Sequence, residues 1–155
     1  MRLRSHARLS IAAAIMSLSA LAPAAHAEDL DLAAYRGKVV YLDFWASWCN
    51  PCRQSFPWMN EIQGTYAKAN LVVIGVNVDH ERDLADDFLK HSPADFKIVY
   101  DPDGTIARRF DFRDMPTAVL IDRDGRVRYV HAGFFPEKRG EYLGHVLELL
   151  NSKAS

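Results

Sequence analysis

Cysteine is scarce in this chain. There are two, Cys49 and Cys52, both within Trp48-Cys49-Asn50-Pro51-Cys52. A scaffold held by several long-range bridges is excluded, and one bridge across so short a loop would remove little entropy from the unfolded chain. A tetrahedral zinc site is left short of ligands, because there is no second cysteine pair and His80, His91, His131 and His145 lack a finger-like spacing. No metal and no cofactor is therefore expected. Internal repeats and low-complexity segments are absent too, and nearly half the residues are apolar, so disorder is expected only at the ends.

Charge of one sign is not in large excess, with 19 Lys and Arg against 20 Asp and Glu. Three of the arginines, Arg2, Arg4 and Arg8, stand before an apolar run over residues 9–21, which is followed by Ala25-His26-Ala27. A basic start, an apolar stretch and a small-x-small site make up a secretory signal peptide, here residues 1–27. The run is shorter than the roughly 20 residues a bilayer span needs, which favours cleavage over anchoring. No twin-arginine pair precedes it, and no cysteine lies near the cleavage site to take a lipid. Removal of the leader leaves 16 basic residues and a net charge of −4 on residues 28–155. A mildly acidic exported domain does not suit nucleic acid or an anionic membrane surface as partner. Residues 28–155 are long enough for one core and too short for two, so a single domain is expected.

Residues 39–45 are apolar apart from Asp43 and read as a central strand buried on both faces. Residues 54–68 show helical spacing through Phe56, Met59, Ile62 and Tyr66. Pro51 suits a first helical turn, whereas Pro57 lies further in and should bend the helix. Residues 71–78 form a second apolar run, which makes a right-handed βαβ unit with parallel strands. A helix is expected over 81–90 with Leu84, Phe88 and Leu89 inward, then a short strand over 96–100 and one or two helical turns over 105–110. Residues 117–121 and 127–131 are β-rich and joined by Asp122-Arg123-Asp124-Gly125, so they should form an antiparallel hairpin. Pro136 opens a last helix with Tyr142, Leu143, Val146, Leu147 and Leu150 on its apolar face.

The cysteine pair thus falls where the first strand gives way to the first helix. Unpaired N–H groups and the positive end of the helix dipole there stabilise a thiolate. In such motifs the thiol pKa falls from about 8.5 to about 7 or lower. Cys52, almost one turn on, is close enough to close a disulfide with Cys49. Cys49 would attack a partner disulfide, and Cys52 would then attack the Cys49 sulfur and release the reduced partner. Cys49 should be the more exposed sulfur. Trp48 is expected to line the partner-binding face, while Phe44, Trp45 and Trp58 read as core. Asp43 has two readings, a strand-edge group facing solvent or a buried carboxyl with a raised pKa that exchanges the Cys52 proton.

The stretch Asp43-Phe44-Trp45-Ala46-Ser47-Trp48-Cys49-Asn50-Pro51-Cys52-Arg53, with Pro57 five residues beyond and Met115-Pro116-Thr117 before the hairpin, resembles thioredoxin. The leader and the extra helix and strand over about residues 80–101 resemble its TlpA-like branch, which includes periplasmic thioredoxins of cytochrome c maturation. The resemblance implies an α/β thioredoxin fold, a mixed central sheet flanked by helices with that helix-strand insertion. It implies that Asp43 is the buried acid and that Met115-Pro116 is a cis-proline turn facing the cysteines, where the Met115 backbone pairs with a bound peptide. Trp48, Asn50, Pro51, Met115 and Pro116 are then the substrate-binding residues, and Cys49, Cys52 and Asp43 the catalytic ones.

Asn50-Pro51 lacks a histidine between the cysteines, which would stabilise the thiolate as in strong oxidants, so the expected direction is reduction of protein disulfides. A monomeric periplasmic reductant would draw electrons from a membrane thiol carrier, as the resemblance implies. Two other classes use the same thiols: a disulfide oxidase or isomerase, and a copper-delivery module with the sulfurs as ligands. His80 reads as a solvated turn residue.

Overall fold

The computed structural model describes residues 30–111 and 114–154, and the expected leader at residues 1–27 lies outside them. Among the described residues five strands are formed, β1 (Val39–Trp45), β2 (Leu71–Asn77), β3 (Lys97–Tyr100), β4 (Thr117–Ile121) and β5 (Val127–Ala132), and three α-helices, α1 (Asn50–Tyr66), α2 (Arg82–His91) and α3 (Arg139–Asn151). The sheet order is β3-β2-β1-β4-β5. Strands β1, β2 and β3 are parallel, and β4 runs antiparallel to both β1 and β5.

Every residue of β1 is buried, as the unbroken apolar run requires of a strand with a layer on each face. Alternation divides its side chains. Val39, Tyr41 and Trp45 join one core with Phe56, Met59 and Ile62 of α1, Ala85 and Phe88 of α2, and Tyr142, Val146 and Leu149 of α3. Val40, Leu42 and Phe44 face the other core, which is closed by Leu30 and Ile106 with Leu32, Tyr35 and Phe110 packed against it. The α-helices therefore share one face of the sheet, and single-turn 3-10 segments at Leu32–Tyr35 and Ala107–Arg109 serve the other. Each large apolar side chain so buried contributes roughly 1.5–3 kcal/mol.

Several expectations need correction. Helix α1 begins at Asn50 with Cys49 as its cap, which puts Pro51 in the first turn as expected, and its α-helical part ends at Tyr66 with a 3-10 turn at Ala67–Ala69, where the spacing suggested helix to residue 68. Pro57 lies inside the helix, as its place in the sequence leads one to expect. In α2, Leu84 is 48% exposed and Ala85 takes the inward place beside Phe88. In α3 the buried positions are Tyr142, Val146 and Leu149, with Leu143, Leu147 and Leu150 half-buried to either side of that line. Pro136 opens a 3-10 turn, Pro136–Lys138, that leads into α3, and the turns expected over 105–110 reduce to Ala107–Arg109.

Candidate active site

The two cysteines lie where β1 ends against α1. Beyond Trp45 the chain makes a tight turn in which the Cys49 N–H donates to the Ala46 carbonyl at 3.1 Å. Cys49 is the N-cap of α1 in extended backbone conformation, and the Cys52 N–H points at its sulfur at 3.3 Å. Pro51 lies in the first turn, where a missing donor costs nothing. The sulfurs are joined in a disulfide with Cα atoms 5.3 Å apart, so this is the oxidised state. The Cys49 sulfur stands where the thiolate of the reduced state would sit, facing unpaired helix N–H groups and the positive end of the helix dipole. Cys52 is fully buried and Cys49 is 4% exposed, while the neighbouring Trp48 is 69% exposed and Asn50 and Pro51 lie at the surface.

Asp43 is 2% exposed, so it is a buried group and not a strand-edge residue facing solvent. By alternation it projects from the face of β1 that carries Tyr41 and Trp45, whose core includes both cysteines. Its Oδ2 has no hydrogen-bond partner, and burial holds its carboxyl well above the usual carboxylate range. Across the sheet it faces Gly75 on β2 and Ala118 on β4, two of the smallest residues available. A Cβ on Gly75 would lie 3.0 Å from Trp45 Nε1 and 3.0 Å from the Phe96 ring.

The Met115–Pro116 peptide bond is cis. Thr117 pairs with Phe44, so continuing the antiparallel register by one residue sets Pro116 beside Trp45, at the end of β1 from which the cysteine turn emerges. Gly133 donates its N–H to the Pro116 carbonyl at 2.7 Å. Pro116 is buried and Met115 is half-buried between both cores. His80 is an exposed turn residue, as expected, with Nδ1 2.9 Å from the Pro102 carbonyl oxygen.

Ser47, Asn77 and Asp79 join the site without having been expected there. Asp79 is buried and receives the Ser47 N–H at 2.9 Å and the Ser47 hydroxyl at 2.9 Å. Two polar residues, Asn77 and Asp79, at the end of the apolar β2 run are the available signal. Ser55, one turn beyond Cys52, is also buried, and its hydroxyl donates to the Cys52 carbonyl at 3.0 Å. Among the described residues no group of three or more His, Cys, Asp or Glu is arranged to hold a metal ion.

A family model, Redoxin, matches residues 13–145. The chain belongs to the redoxin family. It resembles the thiol-disulfide oxidoreductase ResA of Geobacillus kaustophilus, 34% identical over 102 residues, which cover 66% of this chain and 59% of that protein. The ResA of Bacillus subtilis is 31% identical over 108 residues, 70% of this chain and 60% of that one. The chain thus spans about three fifths of the length of these curated relatives. A solved structure, a putative thiol:disulfide interchange protein DsbE from Chlorobium tepidum, is 45% identical with a TM-score of 0.76, covering 77% of this redoxin and 85% of that chain. The fold is thioredoxin-like, with the mixed five-stranded sheet expected of it.

Proposed function

We propose that this redoxin is an exported thiol–disulfide oxidoreductase that reduces protein disulfides. The observation that carries this reading is the Cys49 sulfur capping α1 with the buried Cys52 disulfide-bonded to it and the exposed Trp48 beside it. Reduced Cys49 attacks one sulfur of a partner disulfide, forming a mixed disulfide and expelling the partner's other sulfur as a thiolate that takes up a proton. Asp43 in its ionised form takes the Cys52 proton as Cys52 attacks the Cys49 sulfur; the second partner sulfur leaves as a thiolate and takes up that proton, and the Cys49–Cys52 disulfide forms. A carboxyl whose pKa burial has raised holds a proton more firmly than an exposed one and so is the better acceptor for that exchange. Trp48, Asn50, Pro51 and the Met115–Pro116 backbone border the partner. The names borne by the relatives, oxidoreductase and interchange protein, support the same chemistry.

The sequence of residues 1–27 supports a cleaved leader and a periplasmic location, where a membrane thiol carrier would return the electrons. No helix among the described residues is long and apolar enough to cross a membrane. Measuring the Cys49–Cys52 potential tests the direction: a value near about −270 mV is expected, whereas one near about −120 mV would mark an oxidant. Cys52→Ala should accumulate mixed disulfides through Cys49, and equal trapping by Cys49→Ala would overturn the assigned nucleophile. Fractionation of cells expressing the full chain should place a shortened product in the periplasm.

A further inference from the structure

Asp79 follows β2, 32 residues from the active-site turn in sequence, and each of its carboxylate oxygens accepts a hydrogen bond from that turn. Its Oδ2 accepts the Ser47 N–H at 2.9 Å and the Asn77 side-chain amide at 2.8 Å, and its Oδ1 accepts the Ser47 hydroxyl at 2.9 Å. Asn77 in turn accepts the Asp79 N–H at 3.2 Å through Oδ1, which orients the carboxylate. Both residues are buried, Asn77 completely and Asp79 at 4% exposure. The other edge of Ser47 is held as well, since Arg53 of α1 reaches its carbonyl at 3.5 Å while its guanidinium lies over the Phe88 ring. The Val78 N–H donates to the Trp45 carbonyl at 3.0 Å, so the chain ends of β1 and β2 are tied immediately before the clamp.

Hydrogen bonds from N–H and O–H donors to a charged acceptor are among the stronger ones a protein makes, and a buried one is costly to leave half-made. Such a group is placed to fix the backbone direction of Ser47-Trp48-Cys49. We propose that Asp79 is a positioning residue: through Ser47 it sets the aim of the helix N-terminal N–H groups on the Cys49 sulfur and so the reactivity of that thiol. This rests on the thiol–disulfide reading for its purpose, although its test does not need a substrate. Asp79 acts through the turn and does not touch the sulfurs. Arg53 on α1 is the charged group next to the turn, and His80 is directed away, onto the Pro102 carbonyl.

The test is the pH profile of iodoacetamide alkylation at Cys49 in the reduced full chain, read beside thermal unfolding. Asp79→Ala and Ser47→Ala are expected to raise the apparent thiol pKa and slow alkylation at pH 7 by about three- to tenfold, with the smaller effect in Ser47→Ala. Asp79→Asn keeps an acceptor for Ser47 and is expected to recover most of the wild-type profile. Ser47→Ala removes one half-buried hydroxyl and decides the matter if Asp79→Ala does not fold. Unchanged alkylation with only a lower unfolding temperature would overturn the proposal, reducing Asp79 to a structural tie. Equal acceleration in Asp79→Asn and Asp79→Ala would overturn it too, because loss of charge would then be the whole effect. If the wild type failed to reduce any protein disulfide, the functional reading would fall while this profile stayed readable.

Discussion

Tyr41 and Asp43 project from the same face of β1, both buried, and a charge on Asp43 adds to the burial that already pushes the Tyr41 phenol up. The site thus holds a carboxyl that resists ionisation beside a phenol that does the same. Asp43 keeps its proton in the folded state at pH values where the unfolded chain has lost it, so it favours folding at low pH. That contribution disappears as pH rises towards the raised folded-state pKa. Asp43→Ala should therefore be more stable than the wild type near neutral pH, by about 1–2 kcal/mol after a small cavity cost, with the gain shrinking as pH falls towards 4. Urea unfolding at pH 4 and pH 8 checks this. The same variant should slow resolution of the mixed disulfide by at least roughly tenfold at pH 7 and recover at higher pH, where hydroxide takes the Cys52 proton.

His131 on β5 faces His145 of α3, with Nε2 and Nδ1 2.9 Å apart, and its ring packs against Tyr142 at 4.7 Å. Tyr129 stacks on His145 at 3.9 Å and donates to Glu148. Desolvation, then the charge of His145, lowers the His131 pKa to about 4, with Glu141 opposing. The unfolded chain protonates this histidine first, so its contribution to stability is complete above pH 6.5 and falls away as pH drops towards 4. The loss should be about 1–2 kcal/mol, less than the full linkage because the ring is only half-buried. His131→Phe should flatten the pH dependence of the melting temperature between pH 4 and 6.5, and an unaltered slope would count against the assignment.

Trp48 carries its indole into solvent next to Cys49. Trp48→Ala should leave stability within about 0.5 kcal/mol of wild type, as expected for an exposed side chain. It should lower kcat/KM for a protein disulfide by roughly five- to thirtyfold, the usual loss of an aromatic contact, with little effect on a small disulfide such as oxidised glutathione. Equal losses on both substrates would place the indole in the chemistry and not in recognition.

Gly75 opposes Asp43 across β2 and leaves no room for a side chain, since a methyl group there would lie 3.0 to 3.1 Å from Trp45 Nε1, the Phe96 ring and Ile98. Gly75→Ala should destabilise by about 1–3 kcal/mol through overpacking. Denaturant midpoints report it directly.

The strands and the cysteine turn are legible in the sequence because each is a local pattern. The seven apolar-rich residues of β1, the hairpin chemistry at Asp122-Arg123-Asp124-Gly125 and the proline after Cys49 act through near neighbours. The start of α1 is marked by Pro51, whereas the inward place of Ala85 is hidden because spacing alone cannot tell it from Leu84 beside it. The contact of Asp79 with Ser47 leaves no local trace because it joins residues 32 apart in sequence.

The sequence alone determined that Cys49 and Cys52 can pair: they are two thiols three residues apart at the start of a helix that follows a buried strand, within reach of one disulfide. Tertiary structure decided the surroundings of that pair. Asp43 is buried because β2 and β4 present Gly75 and Ala118 on either side, and Pro116 reaches the end of β1 through the register of β4. Asp79 meets the turn because β2 lies parallel to β1 and ends level with it. Burial and long-range hydrogen bonding depend on which strands become neighbours, and that is a property of the packed chain as a whole.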